Sequence, residues 1–135
     1  MECFKTFRKA PPSQLIMTLL VKNEESMLEE NLLFHKAMGV DSFIITDNNS
    51  TDSTPEIIRK YKQKGWIKEV IEEKATDYEQ KEWVDRMIWK AKTIYKADWI
   101  INADADELWY SPSGNLKTDL SATHANVLNC EMRSV

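Results

Sequence analysis

The chain has 135 residues, of which 42% are hydrophobic and 30% are charged, and its formal net charge is −4. These values are ordinary for one globular domain, and the net negative charge excludes a nucleic-acid binder that works by general neutralisation of phosphates. No apolar run is long enough to span a membrane, and no signal-peptide pattern opens the sequence. The three glycines lie too far apart for a Gly-x-Gly-x-x-Gly or P-loop motif.

The two cysteines, Cys3 and Cys130, show no metal-type spacing and are expected to be reduced thiols in a cytoplasmic protein. Residues 1–13 are predicted to be a basic leader of uncertain order. The whole chain, residues 1–135, is expected to form a single domain.

Apolar runs of strand length alternate with helical patterns along the chain. Strands are predicted at residues 15–21, 43–46, 67–71, 99–103 and 126–132. Helices are predicted between Ser26 and Gly39, between Thr54 and Gly65, and along an apolar stripe from Trp83 to Tyr95. Strict alternation of strand and helix predicts an α/β fold with a mostly parallel sheet.

Local signals refine these helices. Ser26 and Glu29 have the spacing of a capping box, and Thr54 with Pro55 is predicted to cap and start the second helix. Leu33 and Ile94 fall on apolar stripes and are expected to be buried, whereas His35 is expected at the surface or half-buried.

Polar clusters follow three of the predicted strands: Lys22-Asn23-Glu24, Asp47-Asn48-Asn49 and Asp104-Ala105-Asp106-Glu107. In parallel sheets, ligands bind beyond the carboxyl ends of the strands. We therefore expect these clusters, which are far apart in sequence, to share one edge of the sheet.

The acidic cluster has two interpretations. In an extended segment Asp104 and Asp106 point the same way, with Ala105 turned away, and such a carboxylate pair suits Mg²⁺ or Mn²⁺. The alternative is a solvated turn after a strand.

Each of the other two clusters also has two possible interpretations. Asp47 can accept an N–H from a pyrimidine ring, but Asp, Asn and Ser are also favoured turn residues. Asn23 and Glu24 can contact a nucleoside or simply lie at a helix N-terminus, where negative charge is favourable.

Side chains near these clusters add further possibilities. Trp83 is expected in the core, and Arg86 can reach a phosphate or pair with Glu82. Trp109 and Tyr110 can stack on a sugar or belong to the core or a lid.

The ordered set of three clusters resembles the family 2 glycosyltransferases of the GT-A fold. More narrowly, it is similar to the branch that shares features with family 92, with Lys-Asn-Glu in the first loop and His35-x-x-x-Gly39 closing the first helix. The resemblance covers about residues 14–110.

This resemblance implies a nucleotide-diphospho-sugar donor, commonly a UDP-sugar, and an acceptor hydroxyl of unknown identity. It assigns Asn23, Glu24, Asp47, Asn48 and Asp104 to nucleotide binding. It also implies that the Asp-x-Asp pair, Asp104 with Asp106, binds Mn²⁺ or Mg²⁺ on the pyrophosphate, where the cation offsets leaving-group charge.

The chain departs from the family pattern at two points. Many members have Asp-Asp-Gly-Ser after the second strand, where this sequence has Asp47-Asn48-Asn49-Ser50. Members also continue well past residue 135, so this chain is expected to be the donor-binding part of a longer enzyme, and no catalytic base is assigned. The alternatives are a non-catalytic nucleotide-binding module and a Mg²⁺-dependent phosphoryl-transfer domain, the latter disfavoured by Lys22-Asn23-Glu24 after the first strand.

Overall fold

The computed structural model describes residues 2–5, 14–77, 79–122 and 127–129. In chain order the elements are β1 (Glu2–Lys5), β2 (Leu15–Val21), α1 (Leu28–Ala37), β3 (Ser42–Asp47), α2 (Thr54–Gln63), β4 (Ile67–Glu72), α3 (Gln80–Thr93), β5 (Trp99–Asp104), α4 (Leu116–Ser121) and β6 (Val127–Asn129). None of the helices in these ranges is both long and apolar enough to cross a membrane.

The strands form one sheet in the order β4-β3-β2-β5-β1-β6. β2 pairs in parallel with both β3 and β5, and β3 pairs in parallel with β4. β1 runs antiparallel to β5 and β6. The predicted α/β fold with a mostly parallel sheet is confirmed.

The sheet carries helices on both faces, which explains the continuous apolar runs of its central strands. Alternate residues of β2 face opposite sides: Met17 and Leu19 pack in the larger core cluster and Ile16 in the smaller one. The larger cluster includes residues of α1, α2 and α4, and the smaller one includes residues of α3. Because both faces are covered, the free surface of the sheet lies at the strand ends.

The structure differs from the sequence prediction at the start of the chain, and towards the end it contains a strand where one was predicted. Residues 2–5 of the expected leader form β1, which inserts between β5 and β6, and Cys3 is buried opposite Ile101. The remainder of that leader, residues 6–13, lies outside the described residues. Of the predicted fifth strand at residues 126–132, residues 127–129 form β6, and the other positions are not among those described.

The predicted capping box of α1 is wrong. Met27, not Ser26, occupies the N-cap position, and no side-chain hydrogen bond caps the helix. The chain enters α1 through a turn in which the backbone N–H of Met27 donates to the carbonyl of Glu24. The Glu29 carboxylate accepts hydrogen bonds from two side chains of α2 instead.

The predicted cap of α2 is also wrong. Ser53 occupies the N-cap position, while the Thr54 hydroxyl accepts a hydrogen bond from the backbone N–H of Glu24 at 2.9 Å. Pro55 lies in the first turn, as predicted. Thr54 therefore joins two loops rather than capping its own helix.

Burial overturns three further predictions. Leu33 and Ile94 are 47% and 57% exposed, although both fall on apolar stripes. His35, expected near the surface, is completely buried. Trp83 lies in the core, as predicted.

Candidate functional site

A cleft of about 310 Å³ opens beyond the carboxyl ends of β2 and β5. It is lined by residues from the first two polar clusters, the acidic cluster and the start of α3: Leu20, Val21, Lys22, Glu24, Asn48, Gln80, Trp83, Asp104, Ala105 and Asp106. The expected convergence of the three polar clusters at one sheet edge is confirmed.

The acidic cluster forms a hydrogen-bonded turn, residues 104–107, which we call the acid turn. The backbone N–H of Glu107 donates to the carbonyl of Asp104 at 3.0 Å. The expectation of an extended segment is therefore wrong beyond Asp104. Asp104 and Asp106 nevertheless both line the cleft, and Ala105 is buried in the core.

Glu107 stabilises the acid turn itself. Its carboxylate accepts a hydrogen bond from the backbone N–H of Asp104 at 2.8 Å. Burial raises the pKa of Glu107, the hydrogen bond from the Asp104 N–H partly opposes this rise, and the charge of the Asp104 carboxylate adds to it. Of the acids in the cluster, only Asp104 and Asp106 line the cleft.

The cleft concentrates negative charge. Burial raises the pKa of Glu24, and the carboxylates of Asp106 and Asp104 raise it further. Among the described residues that line the cleft, Lys22 is the only basic one. A bound cation would relieve the repulsion between these carboxylates.

The residues present fit a divalent cation shared with a ligand. Within the described residues, no group of three or more His, Cys, Asp or Glu side chains is arranged to hold a metal ion. Mg²⁺ and Mn²⁺ commonly take one or two carboxylates from the protein and complete their coordination with water and phosphate oxygens. The open carboxylates of Asp104 and Asp106 match that donor set.

Asn23 joins the first loop to the second. It has a positive φ of 51°, its backbone N–H donates to the Ser50 hydroxyl at 2.9 Å, and its side-chain oxygen accepts from the Thr51 N–H at 2.7 Å. Asn23 does not line the cleft, and its proposed contact with the nucleotide stays a prediction.

A second set of hydrogen bonds also connects the first loop to the second. The backbone N–H of Glu25 donates to the Asp52 carboxylate at 3.2 Å, and the Glu25 carboxylate accepts from the Ser53 N–H at 2.9 Å. Sequence reasoning missed this pairing because the partners lie 27 and 28 residues apart.

Asp47 and Asn48 have different surroundings. One oxygen of Asp47 accepts from the N–H and the hydroxyl of Ser50. Asn48 is buried and its amide donates to the carbonyls of Glu73 and Ala75, at 3.1 and 2.9 Å. Asn48 thus lines the cleft while holding the β4–α3 loop, and its own contact with a nucleotide stays a prediction.

The structure also shows the partners and the exposure of the side chains near the polar clusters. Arg86 pairs with Glu73 at 2.7 Å rather than with Glu82, and this contact lowers the pKa of Glu73. Trp109 is buried in the core, whereas Tyr110 is 73% exposed.

Two residues of α1 that sequence reasoning did not assign to the site bond to the acid turn and to the segment that follows it. The Asn31 amide donates to the carbonyls of Ala105 and Glu107, each at 3.0 Å. His35 Nε2 accepts from the backbone N–H of Trp109 at 2.9 Å. No signal in the sequence marked either residue, because their burial and their distant partners are evident only in the structure.

The model of glycosyltransferase family 92 matches residues 17–127, most of the chain. The chain belongs to glycosyltransferase family 92. The sequence resemblance pointed to family 2 with features shared with family 92, and the match is with the latter. A comparison with curated protein sequences found no significant match.

Solved structures share the fold of this family 92 chain. S. aureus TarS residues 1–349 in complex with UDP superimposes with a TM-score of 0.63 and 18% identity, covering 81% of this chain and 31% of that TarS chain. The mannosyltransferase PcManGT from Pyrobaculum calidifontis, in complex with GDP-Man and Mn²⁺, gives 0.52 and 19%, covering 79% and 32%. The chain thus spans about a third of the length of these neighbours, and the likeness establishes a glycosyltransferase-type fold.

Proposed function

We propose that this chain is the donor-binding part of a glycosyltransferase that takes a UDP-sugar together with Mn²⁺ or Mg²⁺ and transfers the sugar to a hydroxyl acceptor. Membership of family 92 supports the reaction class. The observation that carries the proposal is the convergence of Glu24, Asp104 and Asp106 in one cleft at the carboxyl ends of the strands.

Asp104 and Asp106 are the residues that would hold the cation. In the described residues no hydrogen bond or ion pair occupies either carboxylate, in contrast to Glu107, whose carboxylate is bonded to the backbone. A divalent cation bound there would offset the negative charge that develops on the nucleoside diphosphate as the sugar leaves. Lys22, on the same cleft, offers the phosphates a second positive charge.

Asn23, Glu24, Asp47 and Asn48 would surround the nucleoside. One Asp47 oxygen is bonded to Ser50, which leaves the other available to accept the ring N–H of uracil. The complex of TarS with UDP favours uridine, while the complex of PcManGT with GDP-Man and Mn²⁺ makes GDP the first competitor to test.

Thermal unfolding with UDP, GDP and ADP, each with and without Mn²⁺, tests the proposal. A ligand present at about a hundred times its dissociation constant stabilises the folded state by about 2.7 kcal/mol. We expect UDP with Mn²⁺ to raise the melting temperature of the wild type by several degrees. Either component alone is expected to have a much smaller effect.

Asp106→Asn is expected to abolish the shift. Asp85→Asn is the matched control, because Asp85 is an exposed carboxylate on α3 paired with Lys81. A shift that survives Asp106→Asn, or that needs no metal, would overturn the metal assignment. If ADP or GDP stabilises the chain and UDP does not, the assignment of a UDP-sugar donor is wrong.

A further inference from the structure

Asn31 occupies a position where the helix pattern calls for an apolar residue. It is completely buried in α1, between Leu28 and Leu32 on the core face. Its amide group has two hydrogens, and both are used at 3.0 Å, on the carbonyls of Ala105 and Glu107. The carbonyl of Asp104 lies at 3.4 Å from the same nitrogen.

His35, one helical turn further on, fixes the direction of that amide. Because the backbone N–H of Trp109 donates to Nε2, this nitrogen must be unprotonated, so the proton of the neutral ring is on Nδ1. Nδ1–H then donates to the Asn31 side-chain oxygen at 3.0 Å. Consequently the Asn31 oxygen faces His35 and its NH₂ group faces the acid turn.

The two residues together bond the backbone from Ala105 to Trp109 to helix α1. The carbonyls bonded to Asn31 point towards α1, while Asp104 and Asp106 are exposed at the cleft. Fixing the peptide groups of a turn also fixes the direction in which its side chains leave the backbone.

We propose that Asn31 and His35 are positioning residues. They hold the acid turn in its metal-binding conformation before the nucleotide arrives, with the carboxylates of Asp104 and Asp106 directed at the cation site. This rests on the proposed function, since it takes these carboxylates as the metal ligands. Groups that orient metal ligands in this way commonly contribute about 10- to 100-fold to metal affinity.

Asn31→Asp is the sharpest test. The substitution keeps the size of the side chain and an acceptor for His35, but it replaces both donors by an oxygen facing carbonyl oxygens. Thr18→Val is the matched control, because Thr18 is also completely buried and donates to Asn102 at 2.9 Å in the same sheet. Among the described residues, the hydrogen bond of the Thr18 side chain is to Asn102, which precedes the acid turn.

Three measurements test the proposal. Nitrogen-15 NMR of the wild type is expected to show the Nδ1–H tautomer of His35 at neutral pH. In metal-free Asn31→Asp, the amide hydrogens of Glu107 and Trp109 are expected to exchange at least about tenfold faster, with β2 amides changed much less. Calorimetric titration with Mn²⁺ and UDP is expected to show an affinity about 10- to 100-fold lower than that of wild type and of Thr18→Val.

Other outcomes overturn the inference. An Nε2–H tautomer in the wild type, unchanged exchange in Asn31→Asp, or an equal loss of affinity in Thr18→Val would each do so. Should Asn31→Asp fail to fold, His35→Met keeps only a weak acceptor for Trp109 and removes the donor to Asn31, and faster exchange at Glu107 is then required. If the wild type itself binds no Mn²⁺–UDP, the proposed function fails, while tautomer and exchange still decide whether these residues hold the turn.

Discussion

The backbone N–H of Trp109 donates to Nε2 of His35 at 2.9 Å, across 74 residues of sequence. This bond ties the last turn of α1 to the segment that follows the acid turn. It requires a neutral imidazole, and burial lowers the pKa of His35 to about 4. The folding stability of the chain should therefore depend on pH through this one side chain.

We expect wild-type stability to fall as the pH is lowered from about 6.5 to about 4. In that window the unfolded chain binds a proton at His35 that the folded chain does not, so the free energy of unfolding decreases with decreasing pH. The contribution is fully present above pH 6.5 and amounts to roughly 3 kcal/mol at most.

Urea unfolding of wild type and His35→Gln between pH 7.5 and 4 measures this effect. The substitution removes the titrating group, so the difference in stability between the two proteins should shrink as the pH falls. Leu33→Gln, at an exposed position of the same helix, is the control and should keep the wild-type slope. Parallel curves for wild type and His35→Gln would contradict the prediction.

Asp106→Asn should abolish metal binding without lowering the stability of the metal-free chain. The pKa of Glu24 is raised first by burial and then by the carboxylates of Asp106 and Asp104, so the charge on Glu24 is less favourable in the folded chain than in the unfolded chain. Removing the Asp106 charge should lower the pKa of Glu24 and leave metal-free stability unchanged or higher by up to about 0.5 kcal/mol. NMR titration of the Glu24 carboxyl with chelator present, and urea unfolding at pH 7, measure the two effects.

Asp85→Asn should leave the pKa of Glu24 where it is in the wild type. A marked loss of metal-free stability in Asp106→Asn would mean that Asp106 has a structural role, and it would weaken the metal assignment.

Asn48→Asp should destabilise the chain by about 1–3 kcal/mol. The buried Asn48 amide donates to the carbonyls of Glu73 and Ala75, and a carboxylate at this position would face the same oxygens without a hydrogen to donate. Asparagine at this position supplies two donor hydrogens that an aspartate would lack.

Asn49→Asp is the control for this substitution, because Asn49 is less buried and its bonds to the carbonyls of Lys74 and Ala75 are longer, at 3.2 and 3.5 Å. Urea unfolding at pH 7 should show a clearly smaller loss for Asn49→Asp. Equal losses would argue against a special role of Asn48.

Gly39→Ala should be more costly than Gly65→Ala. Both glycines have positive φ, +100° and +80°, so both substitutions introduce backbone strain. A Cβ on Gly39 would also lie 2.6 Å from the Asn115 side-chain oxygen, which accepts the N–H of Thr118 and caps α4. Around Gly65 there is nothing within 4 Å.

We expect a loss of about 1 kcal/mol for Gly65→Ala and of about 2–3 kcal/mol for Gly39→Ala, measured by thermal unfolding. NMR should show the Thr118 amide shifted only in Gly39→Ala. A larger loss for Gly65→Ala would contradict this account.

The sequence allowed the central sheet to be predicted because strands buried on both faces leave long apolar runs, as at Leu15–Val21. Helix starts were mispredicted at Ser26 and Thr54 because the polar groups near them bond to other loops or helices rather than to their own helix. Local spacing carries no information about such distant partners.

The site was predictable to a similar extent. Strand ends placed Glu24, Asn48, Asp104 and Asp106 at one edge, since parallel topology alone dictates it. Asn31 and His35 could not be assigned, because a polar residue within an apolar helix stripe reads as a surface position until its partner 74 residues away is known.

The position of β1 has a practical consequence for protein engineering. β1 fills the space between β5 and β6, so the strand that carries Asp104 is paired on both sides. A shortened version that begins at Gln14 would leave one flank of β5 with unsatisfied backbone groups, and such flanks recruit strands from other molecules. Expression trials should therefore retain Glu2–Lys5, or the purified product is expected to aggregate.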